Sequence, residues 1–143
     1  MKDFNSRLAA LRGAKCQGVQ PVEFETPATK DIYAVGTSVE FSDTTRLSAQ
    51  FWRLMKDGRP LVSIFDHREQ YGLPAPIDAL QLADDELRGK EILDATMDAT
   101  TGDLRFRFDG ELILQVFNFT AFEIWEFRFP DGTREFSNYA LRD

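Results

Sequence analysis

The sequence predicts one α+β domain built mostly from antiparallel strands, with a helix at the N-terminus and a second helix at about residues 76–88. From Glu91 onward, short runs of alternating apolar and polar residues are separated by turn dipeptides, as in a β-meander. The two helical segments carry apolar residues at helical spacing. No linker or repeat divides the 143 residues, and this length is typical of one domain. We therefore expect residues 1–143 to form a single domain.

The N-terminal segment is the first predicted helix. Phe4, Leu8 and Leu11 recur at helical spacing, and Gly13 follows where a helix would end. The next segment is less regular because prolines interrupt it. It predicts only short strands, at residues 21–25, 32–35 and 38–41.

Residues 47–65 predict a β-hairpin. Alternating apolar residues over 47–55 are followed by Asp57-Gly58 and by a second apolar run over 61–65. A type I′ turn requires positive φ at both central residues, and an Asp-Gly pair adopts this conformation at low cost. We therefore expect the two runs to pair as antiparallel strands.

The second predicted helix follows a loop rich in glycine and proline. Pro76 suits the first position of a helix, because its missing N–H needs no partner there. Apolar residues then recur at helical spacing: Ile77, Leu80, Ala83 and Leu87. Gly89 would end this helix. The alternative is two shorter helices that break near residues 84–85, where the carboxylates would be solvent-exposed.

The C-terminal half predicts five consecutive strands, at about residues 93–99, 104–108, 111–120, 122–129 and 134–141. Strands joined by tight turns pair antiparallel with their neighbours, so we expect one continuous meander. The third and fourth strands carry apolar side chains on both faces. This pattern is typical of central strands covered on both sides, or of a sheet curled into a half-barrel.

Composition and charge argue against several classes of function. The chain carries 17 Lys and Arg against 24 Asp and Glu, a formal net charge of −7, which opposes binding to nucleic acid. Cys16 and His67 are the only residues of their types, so the chain can form no internal disulfide and has too few ligands for a structural zinc. No glycine-rich phosphate loop opens a helix, and we expect no cofactor.

The distribution of apolar residues predicts a protein that does not enter membranes. No apolar run approaches the length of a membrane-spanning helix. Charged residues interrupt the N-terminal segment, which is unlike a secretory signal. We therefore expect a cytoplasmic protein, of bacterial origin.

Asp66, His67 and Tyr71 form the first group of candidate contact residues. An imidazole and a carboxylate lie at the predicted end of a strand, just before a loop, where catalytic residues are often found. Neighbours in a strand point to opposite faces, so Asp66 and His67 would not share one site. A surface histidine, or one that anchors the loop, is therefore favoured over a general base, which needs an oriented partner.

Trp52, Arg53, Glu123 and Trp125 form the second group. Trp125 lies on the same predicted face as other aromatic residues, so burial in the core is its first explanation. Glu123 shares this face, and a carboxylate there must be paired with a cation or lie at the rim of the sheet. The possible cations are Arg53, Arg105 and Arg107. A structural ion pair is favoured over a ligand contact.

Several short motifs resemble those of a group of small uncharacterised bacterial proteins. They are Phe51-Trp52-Arg53, Asp57-Gly58, Asp66-His67, Tyr71-Gly72-Leu73-Pro74, Gly102-Asp103-Leu104 and Glu123-Ile124-Trp125-Glu126. The resemblance covers about residues 47–132. Ala121-Phe122 departs from the pattern, in which a small residue and a tyrosine precede the glutamate. Some of these proteins are thought to be immunity proteins that bind and block a toxin, and the resemblance implies this role.

The residues favour a binding protein over an enzyme, because no oriented nucleophile and base accompany the single histidine. The first hypothesis is a non-enzymatic protein-binding domain, in its most specific form an immunity protein whose acidic surface meets a basic toxin. The alternative is a half-barrel that binds a small ligand in a cavity. That cavity would be lined by Trp52, His67, Tyr71, Glu123 and Trp125. The oligomeric state stays open.

Overall fold

The computed structural model describes residues 4–23 and 35–137. These residues form two α-helices, ten strands and one short 3₁₀ helix. The helices are α1 (Phe4–Ala9) and α2 (Ala79–Leu87), and the 3₁₀ helix spans Ile64–Asp66. The strands are β1 (Cys16–Glu23), β2 (Val35–Phe41), β3 (Arg46–Ala49), β4 (Trp52–Lys56), β5 (Arg59–Ser63), β6 (Ile92–Met97), β7 (Leu104–Phe108), β8 (Leu112–Val116), β9 (Trp125–Arg128) and β10 (Arg134–Phe136).

The strands form two antiparallel sheets of five strands each. The first sheet has the order β1-β2-β3-β9-β10, and the second has the order β5-β4-β8-β7-β6. A single bridge between Lys15 and Glu91 joins them at one corner, and they do not close into a barrel. The predicted α+β class, with an N-terminal helix and a helix near residue 80, is confirmed.

The predicted continuous meander is wrong at one point. Strands β6, β7 and β8 do form a meander, but β9 pairs with β3 and β10 in the other sheet. The chain crosses between the sheets over residues 117–124. Asn118 fixes the start of this crossing, because its backbone N–H donates to Asp103 Oδ1 (2.7 Å). Alternation predicts strands but does not identify their neighbours.

A second crossing divides the run predicted over residues 47–55. Strand β3 ends at Ala49 in the first sheet, and β4 begins at Trp52 in the second sheet. Ala49 and Trp52 are both buried, so the alternation changes parity between them. The hairpin of β4 and β5 is confirmed, and its turn has φ of 53° at Asp57 and 77° at Gly58, as a type I′ turn requires.

Helix α2 is one continuous helix that begins later than predicted. Asp78 is its N-cap and accepts a hydrogen bond from the backbone N–H of Gln81 (3.0 Å), so Pro76 lies in the preceding loop. The alternative break near residues 84–85 is wrong. Asp84 is buried there, because it binds β1 through the N–H of Val19 (2.8 Å). Gly89, with φ of 80°, follows the end of the helix as predicted.

Aromatic side chains fill the core between the sheets. The indole ring of Trp125 stacks on Phe4 of α1, with ring centroids 5.5 Å apart. Their fully buried aromatic neighbours are Phe41, Phe106, Phe108 and Phe127. The side chain of Asn5 attaches α1 to β6 through two hydrogen bonds with the backbone of Met97. The core therefore joins both sheets and α1.

Burial on both faces, predicted for the third and fourth C-terminal strands, is wrong. In β8 the side chains of Leu112, Leu114 and Val116 are buried, whereas the alternate residues are only partly covered. Further along the chain, Phe119 is 62% exposed and Phe122 is 77% exposed. The inner face of this sheet packs in the core, and the outer face meets solvent.

Three predicted segments reach beyond the structure. The predicted strand at 21–25 is part of β1, but residues 24–25 lie outside the described residues. Residues 32–34 and 138–141, which belong to two other predicted strands, also lie outside them. In the part of the chain that the structure describes, no helix has the length and apolar character needed to span a membrane.

Candidate protein-binding face

Four phenylalanines gather on the outer side of the second sheet. The ring of Phe51 lies 4.5 Å from that of Phe119 and 5.7 Å from that of Phe65, between centroids. Phe117 follows β8 on the same side. Phe119 is 62% exposed and Phe65 is 50% exposed. We call Phe51, Phe65, Phe117 and Phe119 the aromatic face.

The pairing of β4 with β8 brings these residues together. Trp52 opposes Val116, and both side chains point into the core. Successive side chains alternate across a sheet, so the flanking residues Phe51 and Phe117 point outward. The N–H of Phe117 donates to the carbonyl oxygen of Phe51 (3.0 Å), which extends the ladder by one step. The same alternation that buries the inner residues therefore creates the aromatic face.

Arginines lie beside the aromatic face on the same outer surface. Arg53 donates through Nε (2.8 Å) and Nη2 (2.6 Å) to Gln115 Oε1, and its guanidinium lies 5.3 Å from the centroid of the Phe117 ring. On β7, Arg107 pairs with Asp94 at 2.6 Å, and Arg105 lies 4.0 Å from the same carboxylate. Aromatic residues and arginine are enriched in protein interfaces and in their hot spots.

Arg53 is a candidate contact residue whose side chain lies beside a ring of the aromatic face. The structure separates it from its neighbour Trp52, because the two point to opposite sides of β4. Trp52 is buried, and its indole N–H donates to Thr37 Oγ1 (2.9 Å). Trp125 is also buried and donates to the carbonyl oxygen of Gly102 (3.0 Å). Both tryptophans pack in the core with satisfied indole groups.

Asp66 and Tyr71 belong to a local network around the 3₁₀ helix. Asp66 lies in this helix and not in a strand as expected, and its carboxylate accepts from the N–H of Ser63 (2.9 Å). The hydroxyl of Tyr71 donates to the other oxygen of Asp66 (3.1 Å). Tyr71 is 65% exposed, so this contact holds the loop while leaving the ring accessible. The network follows directly after Phe65 of the aromatic face.

His67 connects the loop to helix α2. Its Nδ1 accepts a hydrogen bond from the backbone N–H of Ala79 (3.1 Å), the first residue of the helix. Burial lowers the pKa of His67 below its ordinary value of 6.5, Asp78 at 3.8 Å opposes this shift, and Arg68 adds to it. An acceptor nitrogen must be unprotonated, which agrees with the direction of the shift. This geometry fits the interpretation of His67 as an anchor for the loop.

Glu123 lies at the rim and does not make the expected ion pair. It is exposed and precedes β9, which begins at Trp125. Within residues 4–23 and 35–137, no salt bridge joins it to Arg53, Arg105 or Arg107. The prediction that Glu123 lies on the apolar face of a strand is wrong, because β9 starts at Trp125, two residues after Glu123. It borders a surface depression of about 220 Å³ with Gln50 and Trp125.

The residues proposed to line a ligand cavity are not brought together. Trp52 lines the space between the sheets, which has a volume of about 10 Å³, whereas Glu123 and Trp125 line a separate surface depression. A cavity that holds a small ligand typically has about 300 Å³ or more. The space between the sheets is therefore too small for the ligand site that the sequence suggested.

Cys16 is the first residue of β1, the edge strand of the first sheet, and its side chain is buried. Burial is the main cause that raises the pKa of its thiol to about 11, and the backbone N–H of Gly18 opposes the shift. Because a thiolate is the nucleophilic form, the raised pKa disfavours reaction of this thiol at neutral pH. In the described part of the chain, no three His, Cys, Asp or Glu residues are grouped so that they could hold a metal ion.

Sequence reasoning missed the aromatic face. Its signal was present, because residues 112–119 carry apolar side chains on both faces. This pattern was interpreted as burial of both faces, but apolar residues on the outer face of a sheet are also typical of an interface with another protein. No protein-family model, no curated protein and no solved structure matches the chain, so the resemblance to small bacterial proteins stays a prediction.

Proposed function

We propose that this chain is a non-enzymatic protein-binding domain of a bacterial cytoplasm, and that its partner docks on the aromatic face. The observation that carries the proposal is the ring cluster of Phe51, Phe65 and Phe119, with Phe117 beside it, on the outer side of a sheet whose inner side already packs in the core. In a monomer, large apolar groups that touch one another at the surface leave apolar area in water. A partner that covers them removes this area from water.

The expected gain is large enough to support a specific complex. Complete burial of one phenylalanine side chain contributes about 1.5–3 kcal/mol, and Phe65 and Phe119 each have half or more of their surface still to bury. Arg53 supports the same role. Its guanidinium is already positioned by Gln115, so less side-chain entropy is lost when it contacts a partner.

The most specific form of the proposal is an immunity protein that neutralises a basic toxin. The net charge of −7 supports it, because long-range attraction accelerates association with a basic partner. Arg105 and Arg107 share the carboxylate of Asp94, which reduces the local positive charge beside the aromatic face. In an immunity protein of this kind, the apolar contact would provide the affinity, and the negative net charge would accelerate association with the basic toxin.

A binding assay with the product of a neighbouring gene tests the proposal. Wild-type protein is expected to bind that product, and a double variant Phe65→Ala/Phe119→Ala is expected to lose most of the affinity. Leu82→Ala is the matched control, because Leu82 is 43% exposed on α2. The main packing partner of α2 is β1 of the other sheet, and α2 makes smaller contacts with β5 and the 3₁₀ helix. If Leu82→Ala weakened binding as much as the double variant, or if the wild-type chain bound nothing encoded nearby, the proposal would be wrong.

The alternative of a small-ligand-binding half-barrel has less support. The two sheets do not close into a barrel, and the space between them measures about 10 Å³. Its proposed lining residues serve other structural roles, as the indole hydrogen bonds of Trp52 and Trp125 illustrate. We therefore favour the protein-binding domain.

A further inference from the structure

Three arginines form one row across the outer face of the first sheet. Arg46 of β3 opposes Arg128 of β9, and Arg128 opposes Arg134 of β10. Glu40 of β2 opposes Arg46 and ends the row on its other side. Side chains directly opposite each other on neighbouring strands lie close enough to interact. The register therefore concentrates positive charge in an otherwise acidic protein.

The charge of this row is only partly compensated. Arg46 donates through Nε to Ser38 Oγ (2.8 Å), and the same nitrogen lies 4.0 Å from Glu40. Arg134 lies 3.4 Å from Glu126. The side chain of Arg128, between the two other arginines, makes no hydrogen bond or ion pair within residues 4–23 and 35–137. Like charges placed opposite each other destabilise a sheet, so the row has an energetic cost in the free protein.

The row lies in a surface depression that matches a small anion in size. All three arginines line a hollow of about 190 Å³, together with Val22, Ser48 and Glu126. Arg46 and Arg128 also border an adjoining hollow of about 360 Å³. Guanidinium and hydroxyl groups are hydrogen-bond donors that suit oxyanions. The hollow therefore combines donors, positive charge and space.

We propose that this hollow binds a phosphate group, with Arg128 as its central ligand and Arg46 and Arg134 on either side. A tetrahedral phosphate has enough oxygen acceptors for forked guanidinium groups on three strands, whereas a carboxylate has only two. Glu40 and Glu126 flank the row and, with the net charge of −7, oppose a long polyanion. The site therefore takes a single phosphate group, either free or carried on a small molecule as a monoester.

The charges at the site explain how phosphate would be bound. The two neighbouring ion pairs are partly exposed to solvent, and pairs of this kind are weak, so a phosphate can compete with the carboxylates for Arg46 and Arg134. A dianion also removes the repulsion between the three arginines. This site lies on the first sheet and does not depend on a partner at the aromatic face of the second sheet.

Titration of the full chain with inorganic phosphate, followed by amide chemical shifts, tests the proposal. A parallel titration with phosphoethanolamine reports on a monoester. We expect saturable shifts in β3, β9 and β10 with at least one of the two, and Arg128→Gln is expected to weaken binding about tenfold, as loss of a charge-assisted bidentate contact implies. Arg128→Lys keeps the charge but loses the fork and should give an intermediate affinity.

The control is Arg59→Gln, which removes the same charge at an exposed position of β5 in the other sheet. It is expected to leave the phosphate affinity unchanged. Arg128 is exposed and lies opposite two other arginines, so Arg128→Gln should unfold at the same or a higher denaturant concentration than wild type, and a loss of binding would not reflect unfolding. The proposal is overturned if neither compound produces saturable shifts, if Arg128→Gln binds as tightly as wild type, or if Arg59→Gln weakens binding equally.

Discussion

The ring centroids of Phe51 and Phe119 lie 4.5 Å apart on the outer side of the second sheet, beside the paired strands β4 and β8. Phe51 immediately precedes β4, where the chain has crossed from the first sheet, and Phe119 follows β8 in the crossing back to the first sheet. Their contact therefore lies where the chain enters the second sheet before β4 and leaves it after β8. Phe51 is partly buried and packs against the core, so it connects the core to the exposed ring of Phe119.

Truncation of the aromatic face should hardly change the stability of the chain. Phe119→Ala removes a side chain that is 62% exposed, and surface substitutions usually change the free energy of unfolding by about 0.5 kcal/mol or less. Phe106→Ala, in the fully buried core, should cost about 3–5 kcal/mol. Denaturant unfolding of both variants measures the difference. Equal losses would mean that the aromatic face is part of the core.

The carboxylate of Asp84 should stabilise the junction between α2 and β1. Burial alone would raise the pKa of Asp84, but the N–H of Val19 (2.8 Å) and the Arg88 guanidinium (2.9 Å) together hold it below its ordinary value of 3.8. Asp84→Ala leaves the Val19 N–H without its acceptor and should cost about 1–3 kcal/mol in the free energy of unfolding. Asp85→Ala is the exposed control and should cost less than about 0.5 kcal/mol. Similar losses in the two variants would contradict this role for Asp84.

Stability should rise with pH as His67 loses its proton. The pKa of His67 is lowered in the folded chain, so the unfolded chain binds more protons between that value and the ordinary 6.5. Stability is then gained as pH rises through this window, is fully present above 6.5, and is lost as pH falls. His67→Gln keeps an acceptor for the Ala79 N–H but does not titrate, so the slope of stability against pH should decrease in this window. An unchanged slope would contradict the assignment.

The Asp57-Gly58 turn should tolerate little change at its second residue. Gly58 has φ of 77°, and no atom lies within 4 Å of the position where a Cβ would be added. The cost of Gly58→Ala therefore comes from the backbone alone and should be about 1 kcal/mol. Thermal unfolding measures it, and Gly58→Asn, which accepts positive φ more readily, should cost less. If alanine and asparagine cost the same, the turn has another conformation.

Local features of the fold could be predicted from the sequence because they depend on adjacent residues. The β4–β5 turn follows from the φ preference of Asp57-Gly58, and the end of α2 follows from Gly89. The start of α2 lies later than the predicted start at Pro76. Pro76 and Asp78 both suit the beginning of a helix, and only the hydrogen bond from the Gln81 N–H to Asp78 decides between them.

The division into two sheets could not be predicted, because it depends on contacts between distant residues. The backbone N–H of Gln50 donates to the carbonyl oxygen of Ile124, and the backbone N–H of Ile124 donates to Ser137 Oγ (2.8 Å). These bonds turn the chain from one sheet to the other, but no local pattern signals them. The aromatic face could not be predicted for the same reason. The exposed rings of Phe65 and Phe119 both meet Phe51 only in the folded chain.

Amide hydrogen exchange of the chain, with and without the product of the neighbouring gene, tests whether the partner docks on the aromatic face. We expect new protection at residues 51–53, 63–65 and 115–119, where the backbone supports the aromatic face. Protection confined to α2 or to the first sheet, with these three segments exchanging as fast as in the free chain, would contradict it.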